Sequence, residues 1–235
     1  MTFNFDMASA YDEDYPFAYP IMALNKESSA GTFGMDGKTD YSGKGNNLIT
    51  TAVFNEQGMV CVKSGGKAVI PVKESLNMTV VIALNMAARP AAAANILSSL
   101  TPGTAPFEGF RITQQPDGTA SVLVATGKAA PSNTTLSLGS ATGAWTMFAV
   151  SLSETQIVGM RANGNPLVKD LTDGRAVSSN QLVFNGAPDG SQLTVGFEGI
   201  GGGLAVYDSV LSNDEMLEAL NDMRDAMVDK GIPMP

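Results

Sequence analysis

The 235-residue chain contains no histidine, one cysteine (Cys61) and one tryptophan (Trp145). Without imidazole there is no Ser-His-Asp or Cys-His relay, no histidine-bearing zinc site and no side chain that titrates near neutrality by default. A lone cysteine closes no internal disulfide, so stability must come from packing. Charged residues make up 16% of the chain, with 14 Lys and Arg against 23 Asp and Glu, a net charge of −9. Binding to a phosphate backbone runs on released counterions and needs a basic surface, so nucleic acid is excluded as an expected partner. No apolar run approaches the roughly 20 residues of a membrane-spanning helix, and membrane insertion is not expected. The opening Met1–Met7 lacks a basic region, a continuous apolar stretch and a small-residue cleavage site, so no secretory signal is expected there and synthesis in a cytoplasm follows.

What the chain does have is unevenly placed. Phe3, Phe5, Tyr11, Tyr15, Phe17 and Tyr19 crowd the first 20 residues, interleaved with Asp6, Asp12, Glu13 and Asp14 and broken by Pro16 and Pro20. Disordered tails are poor in aromatics, so this segment is expected to pack on something, and two readings stand. It covers its own domain's sheet, or it serves as a docking arm whose six aromatics bind another chain or another copy. At the other end, Ser212 and Glu215 have the spacing of a capping box. Met216, Leu220, Met223 and Met227 then form one apolar helical stripe, stopped by Gly231 and Pro233. The stripe predicts a helix lying on the domain.

Between these ends, short apolar or alternating runs are separated by turn dipeptides, with no helical pattern from Thr32 to Tyr207. Residues 107–113 and 119–125 flank Pro116-Asp117-Gly118, a hairpin signal because Asp-Gly tolerates positive φ. Residues 157–161 and 166–168 flank Asn163-Gly164 as a second hairpin. Val69–Val72, Met78–Leu84, Trp145–Leu152, Gln181–Phe184 and Leu204–Tyr207 read as further strands, with Met78–Leu84 apolar enough for the middle of a sheet. Leu193, Val195 and Phe197 mark one face of another. Pro90 forbids a continuous helix through the Ala-rich stretch 86–94, and Gly201–Gly203 reads as a tight bend between strands. The expected fold is all-β: a two-sheet antiparallel jelly-roll sandwich with a short C-terminal helix and an extended N-terminal arm. The expected boundaries are 1–30 for the arm, 31–211 for the sandwich, and 212–235 for the capped helix and tail.

The order of these features resembles the concanavalin A-like lectin/glucanase superfamily, in particular its laminin-G-like branch. The resemblance is carried by Trp145 opening a strand with Ala149-Val150, by Asn163-Gly164, by Val206-Tyr207-Asp208 running on to Glu215, and upstream by Asp40-Tyr-Ser-Gly-Lys-Gly-Asn-Asn47. It covers residues 30–220 and implies a sandwich in which Trp145 belongs to the core. Glucan-cleaving members carry paired glutamates about 5 to 9 Å apart across a cleft. Nothing in this sequence matches that pair, so no catalytic residue is assigned and no enzyme is expected. Members that bind sugars use exposed aromatics, Asn and often calcium. Asp36, Asp40, Asn46 and Asn47 are hard oxygen groups that suit calcium, though the same residue types form ordinary turns. No cofactor is otherwise expected.

Cys61, in the apolar run Met59–Val62, is expected to be buried and inert. The fold, the missing signal and the missing catalytic groups point first to a viral structural or accessory protein. As a capsid decoration or head- or tail-attached protein of a phage virion, it would bind other virion proteins through the aromatic arm. The alternative is a lectin-like carbohydrate-binding module for adhesion or receptor contact, which predicts a sheet face or loop rim with exposed aromatics and Asn or Asp.

Overall fold

Alternation and turn chemistry translate into strands that pair in two antiparallel sheets facing one another. The computed structural model describes residues 18–101, 103, 105–162, 164–191 and 193–234. In chain order the strands are β1 (Ser29–Phe33), β2 (Ile49–Thr50), β3 (Phe54–Asn55), β4 (Gly58–Cys61), β5 (Ala68–Lys73), β6 (Met78–Met86), β7 (Ala94–Ser98) and β8 (Phe110–Gln114). They continue as β9 (Thr119–Ala125), β10 (Asn133–Ser140), β11 (Trp145–Leu152), β12 (Gln156–Arg161), β13 (Leu167–Asp170), β14 (Gln181–Phe184) and β15 (Gly199–Tyr207). A short helix α1 (Ala18–Met22) precedes them and α2 (Asn213–Asp229) follows.

One sheet runs β13-β12-β11-β6-β15-β4-β3, with β1 beside the second half of β15 on the edge that β4 occupies at its first half. The other runs β10-β9-β8-β7-β14-β5-β2. Period-two side chains from both sheets fill one interior: Val80, Ile82 and Leu84 of β6, Phe148, Val150 and Leu152 of β11, and Phe110, Ile112, Val122, Val124 and Phe184 opposite them. The 8–9 hairpin keeps the expected register, Ile112 facing Val122. Residues 87–93 are a loop between β6 and β7, as Pro90 requires.

Helix α2 explains why β6 is apolar at nearly every position. Val81 and Ala83, Met147 and Ala149, and Ala205 and Tyr207 point away from the interior and meet Met216, Ala219, Leu220, Met223, Ala226 and Met227. The central strands β6, β11 and β15 of the first sheet are therefore buried on both faces. Burying Met216, Leu220, Met223 and Met227 removes enough apolar surface to contribute roughly 6 to 12 kcal/mol gross. Ser212 accepts from the Glu215 amide, and Glu215 Oε2 accepts from the Ser212 amide at 2.8 Å, closing the expected capping box. Tyr207 Oη donates to the Leu24 carbonyl at 2.7 Å, fastening the turn after α1 to β15.

Three expectations are corrected. Gly201–Gly203 lies inside β15, not at a bend between strands. Its register shifts there, and side chains at Gly202 and Gly203 would collide with Met227, Trp145 and Met223, so these glycines let α2 approach. Residues 193–198 are not a strand: they hold one bridge, Asn95 to Gly196, and hydrogen bonds from the Asn95 amide to Val195 O and from the Gly196 amide to Lys63 O. Phe197 still fills the interior, edge-on to Phe184 at 5.9 Å. Trp145 is half-buried and packs on the α2 side of the first sheet, not in the interior between sheets, because its register places it on the same face as Met147.

Candidate functional site on the outer face of the second sheet

With α2 over the first sheet, the outer face of the second carries no helix among the described residues; Asn95, Ser98, Thr113 and Ser121 are buried there, and Arg111 and Leu123 are half-buried among them. Alternation dictates what it shows. In β8, Phe110 and Ile112 point inward, so Arg111 and Thr113 point out; in β9, Ser121 and Leu123 do the same. Ser98 stands opposite Arg111 and Asn95 opposite Thr113 in β7. Gln115 Nε2 donates to Thr113 Oγ1 at 2.7 Å and Ser121 Oγ at 2.8 Å, which organises one end of this polar face.

Arg111 sits in a depression of about 120 Å³ with Asn95, Ser98, Phe107, Leu123 and Asn133 among its lining residues. Loop residues 187–193 wall one side, where Asn95 Nδ2 donates to Leu193 O at 2.6 Å. Among the described residues no carboxylate lies within 4 Å of the Arg111 guanidinium, and its buried Nε has no hydrogen-bond partner. Burial lowers the Arg111 pKa from its ordinary value, which marks a cation partly stripped of water and given no protein counterion. Such a group gains most from a planar anion that accepts two parallel hydrogen bonds. Phe107 adds an apolar ring and the two asparagines add amides. No Asp or Glu lines the depression among the described residues, so it holds no acid and nucleophile pair.

The other sequence candidates fall elsewhere. Phe3, Phe5, Tyr11, Tyr15 and Phe17 lie outside the described residues, as do Asp12, Glu13 and Asp14; Tyr19 belongs to the backbone of α1. Asp40 spends its carboxylate internally. Oδ1 accepts from the Thr32 and Ser42 amides and Oδ2 from Ser42 Oγ and the Asn46 amide, all at 2.8 to 3.0 Å. Burial raises its pKa, but these hydrogen bonds outweigh burial and hold the carboxyl below its ordinary value. Asn47 Oδ1 accepts from the Asp40 amide and Asn46 Nδ2 donates to Ala30 O, so the group organises a turn against β1. Among the described residues no three His, Cys, Asp or Glu side chains cluster to hold a metal. Cys61 is buried in the interior, and burial pushes its thiol far up.

Arg111 was not singled out from the sequence. The available signal was an arginine at an outward position of an alternating strand, Phe-Arg-Ile-Thr, which ordinarily means only a solvated face.

No family model matches the sequence, and no curated protein matches it. Solved structures match the fold. The CBM40 of the Ruminococcus gnavus IT-sialidase bound to α2,3-sialyllactose shares 19% identity over 61% of this chain and 82% of its own, with a TM-score of 0.50. A Trypanosoma rangeli sialidase in complex with sialic acid shares 15% over 85% of this chain but only 34% of its own, with a TM-score of 0.63. The binding domain of botulinum neurotoxin serotype D shares 12% over 86% of this chain and 52% of its own, with a TM-score of 0.61. The protein thus shares a β-sandwich fold with these structures, and it spans about a third of the sialidase's length.

Proposed function

We propose that the protein is a non-catalytic, lectin-like carbohydrate-binding module that takes a carboxylate-bearing glycan on the outer face of its second sheet. The carrying observation is Arg111, half-buried and without a counterion among the described residues, in a depression lined by Asn95, Asn133 and Phe107. A sialic acid supplies the missing carboxylate, and its ring and hydroxyls suit Phe107 and the amides. Fold neighbours with bound sialyllactose or sialic acid support the reading. The absence of Asp and Glu from the lining among the described residues supports binding without turnover.

This is the second of the two functions expected from the sequence. Virion attachment rested on the aromatic segment from Phe3, whose residues through Phe17 lie outside the described residues. The sheet-face site favours a sugar over a virion protein as partner.

Calorimetric titration of the full chain with 3′-sialyllactose and with lactose tests the proposal. Saturable binding of sialyllactose alone is expected. Arg111→Ala should weaken it roughly 10- to 150-fold, the equivalent of a lost charge-assisted hydrogen bond. Equal binding of lactose, or an Arg111→Ala variant that binds as the wild type does, refutes the assignment.

A further inference from the structure

A second groove, distinct from the Arg111 depression, lies where β11 begins and β12 ends. The first β11–β12 pair is Phe148 with Arg161, so Trp145–Met147 pair with β6 on one side and leave the other side open. Alternation sends Trp145 and Met147 toward the α2 face, whereas Thr146 and Arg161 share the interior-facing side with Phe148. The groove therefore wraps around a strand end, with an aromatic ring on one side and a guanidinium on the other. Its volume is about 460 Å³, and Ser140, Ala144 and Ala162 complete its walls.

Both main side chains are held in place. The Trp145 ring packs over Gly202 beside Met227, where an added side chain would come within 2.6 Å of Cζ3. Arg161 Nη2 donates to Thr146 Oγ1 at 2.7 Å. That is the guanidinium's one hydrogen bond among the described residues, and no carboxylate lies within 4 Å of it there. No Asp or Glu lines the groove among the described residues. Partial burial lowers the pKa of this arginine too, the sign of a cation short of water.

We infer that the Trp145–Arg161 groove is a second binding site, for a sugar ring bearing a carboxylate. The ring's apolar face lies on Trp145, the carboxylate meets the free donors of Arg161, and a hydroxyl reaches Ser140. A half-buried aromatic on one side of the groove and a tethered guanidinium on the other match an amphipathic acid better than a neutral sugar, which leaves the charge unanswered, or a bare anion, which leaves the ring unused. The site stands independently of the one at Arg111. Two acidic-sugar sites on one chain would raise the avidity for a multivalent glycan surface.

Trp145 is the only tryptophan in the chain, so its emission reports on this groove. The full chain is titrated with N-acetylneuraminic acid, with glucuronic acid and with glucose, and emission is followed. A saturable change with at least one acid and none with glucose at the same concentrations is expected. Arg161→Ala should raise the apparent Kd at least tenfold, and Arg111→Ala should leave it within twofold. Ala144 is exposed on the groove wall, so Ala144→Glu folds without burying a charge and offers Arg161 an internal carboxylate; it too should raise the Kd at least tenfold. No saturable change with either acid, an equal response to glucose, or a response that Ala144→Glu leaves intact overturns the inference. A calorimetric stoichiometry reduced by one site in Arg111→Ala, with the emission response retained, would separate the two sites.

Discussion

Glu74 and Arg175, 101 residues apart, form an ion pair with both side chains wholly shielded from solvent. Glu74 also accepts from Ser99 Oγ at 2.5 Å and from the Ser178 amide at 3.3 Å, while Arg175 Nη1 donates to Leu76 O at 2.7 Å. The Arg175 guanidinium lies 5.9 Å from the Phe110 ring centroid. The pair thus ties the loop before β14 to the end of β5 and to the strand that carries Arg111.

Removing one partner strands a buried charge. Glu74→Ala or Arg175→Ala should each cost about 3 to 5 kcal/mol in urea unfolding, while Glu74→Leu combined with Arg175→Met should cost less than either single change. Additive losses would show that the two side chains do not act as a pair.

Asp40 gives an acid dependence. Its folded-state pKa lies below the unfolded value, so its stabilisation is complete above the unfolded pKa, near 3.9, and is lost as pH falls through the folded value. Wild-type stability should therefore drop more steeply than that of Asp40→Asn below about pH 4. Parallel acid-unfolding curves for the two proteins would contradict this.

Cys61 should be silent to a thiol reagent in the native protein. Burial favours the neutral thiol, and the side chain is 3% exposed in β4. Labelling with a disulfide-exchange reagent should proceed only as fast as the protein opens, and should become rapid in denaturant.

The cap and stripe of α2 can be weighed separately. Ser212→Ala removes the acceptor for the Glu215 amide and should cost about 1 kcal/mol. Met223→Ala leaves a cavity against Gly203 and should cost about 2 to 5 kcal/mol. Thermal melts that rank the two in the opposite order would place the helix's contribution in its own propensity, not in its docking.

Local chemistry was legible where a short segment decides its own conformation. The Asp117-Gly118 hairpin, the Ser212 cap, the methionine stripe and the alternation of Trp145–Leu152 all appear where periodicity and turn residues put them. What alternation cannot tell is which face of a strand ends up covered. Arg111 and Thr113 alternate with Phe110 and Ile112 in any sheet, and only the docking of α2 on the other layer leaves their face without a helix. Trp145 was misplaced for the same reason, since its side is set by pairing with β6, about 60 residues earlier. Asp40 was legible as a polar turn residue, but its four donors include an amide of β1 brought there by folding. The sequence by itself determined the strands, the turns and the apolar stripe, because these follow from the shape and hydrogen-bonding habits of neighbouring residues. The tertiary structure alone decided which arginines lack counterions among the described residues, because that depends on which distant carboxylates folding brings near and which it leaves away.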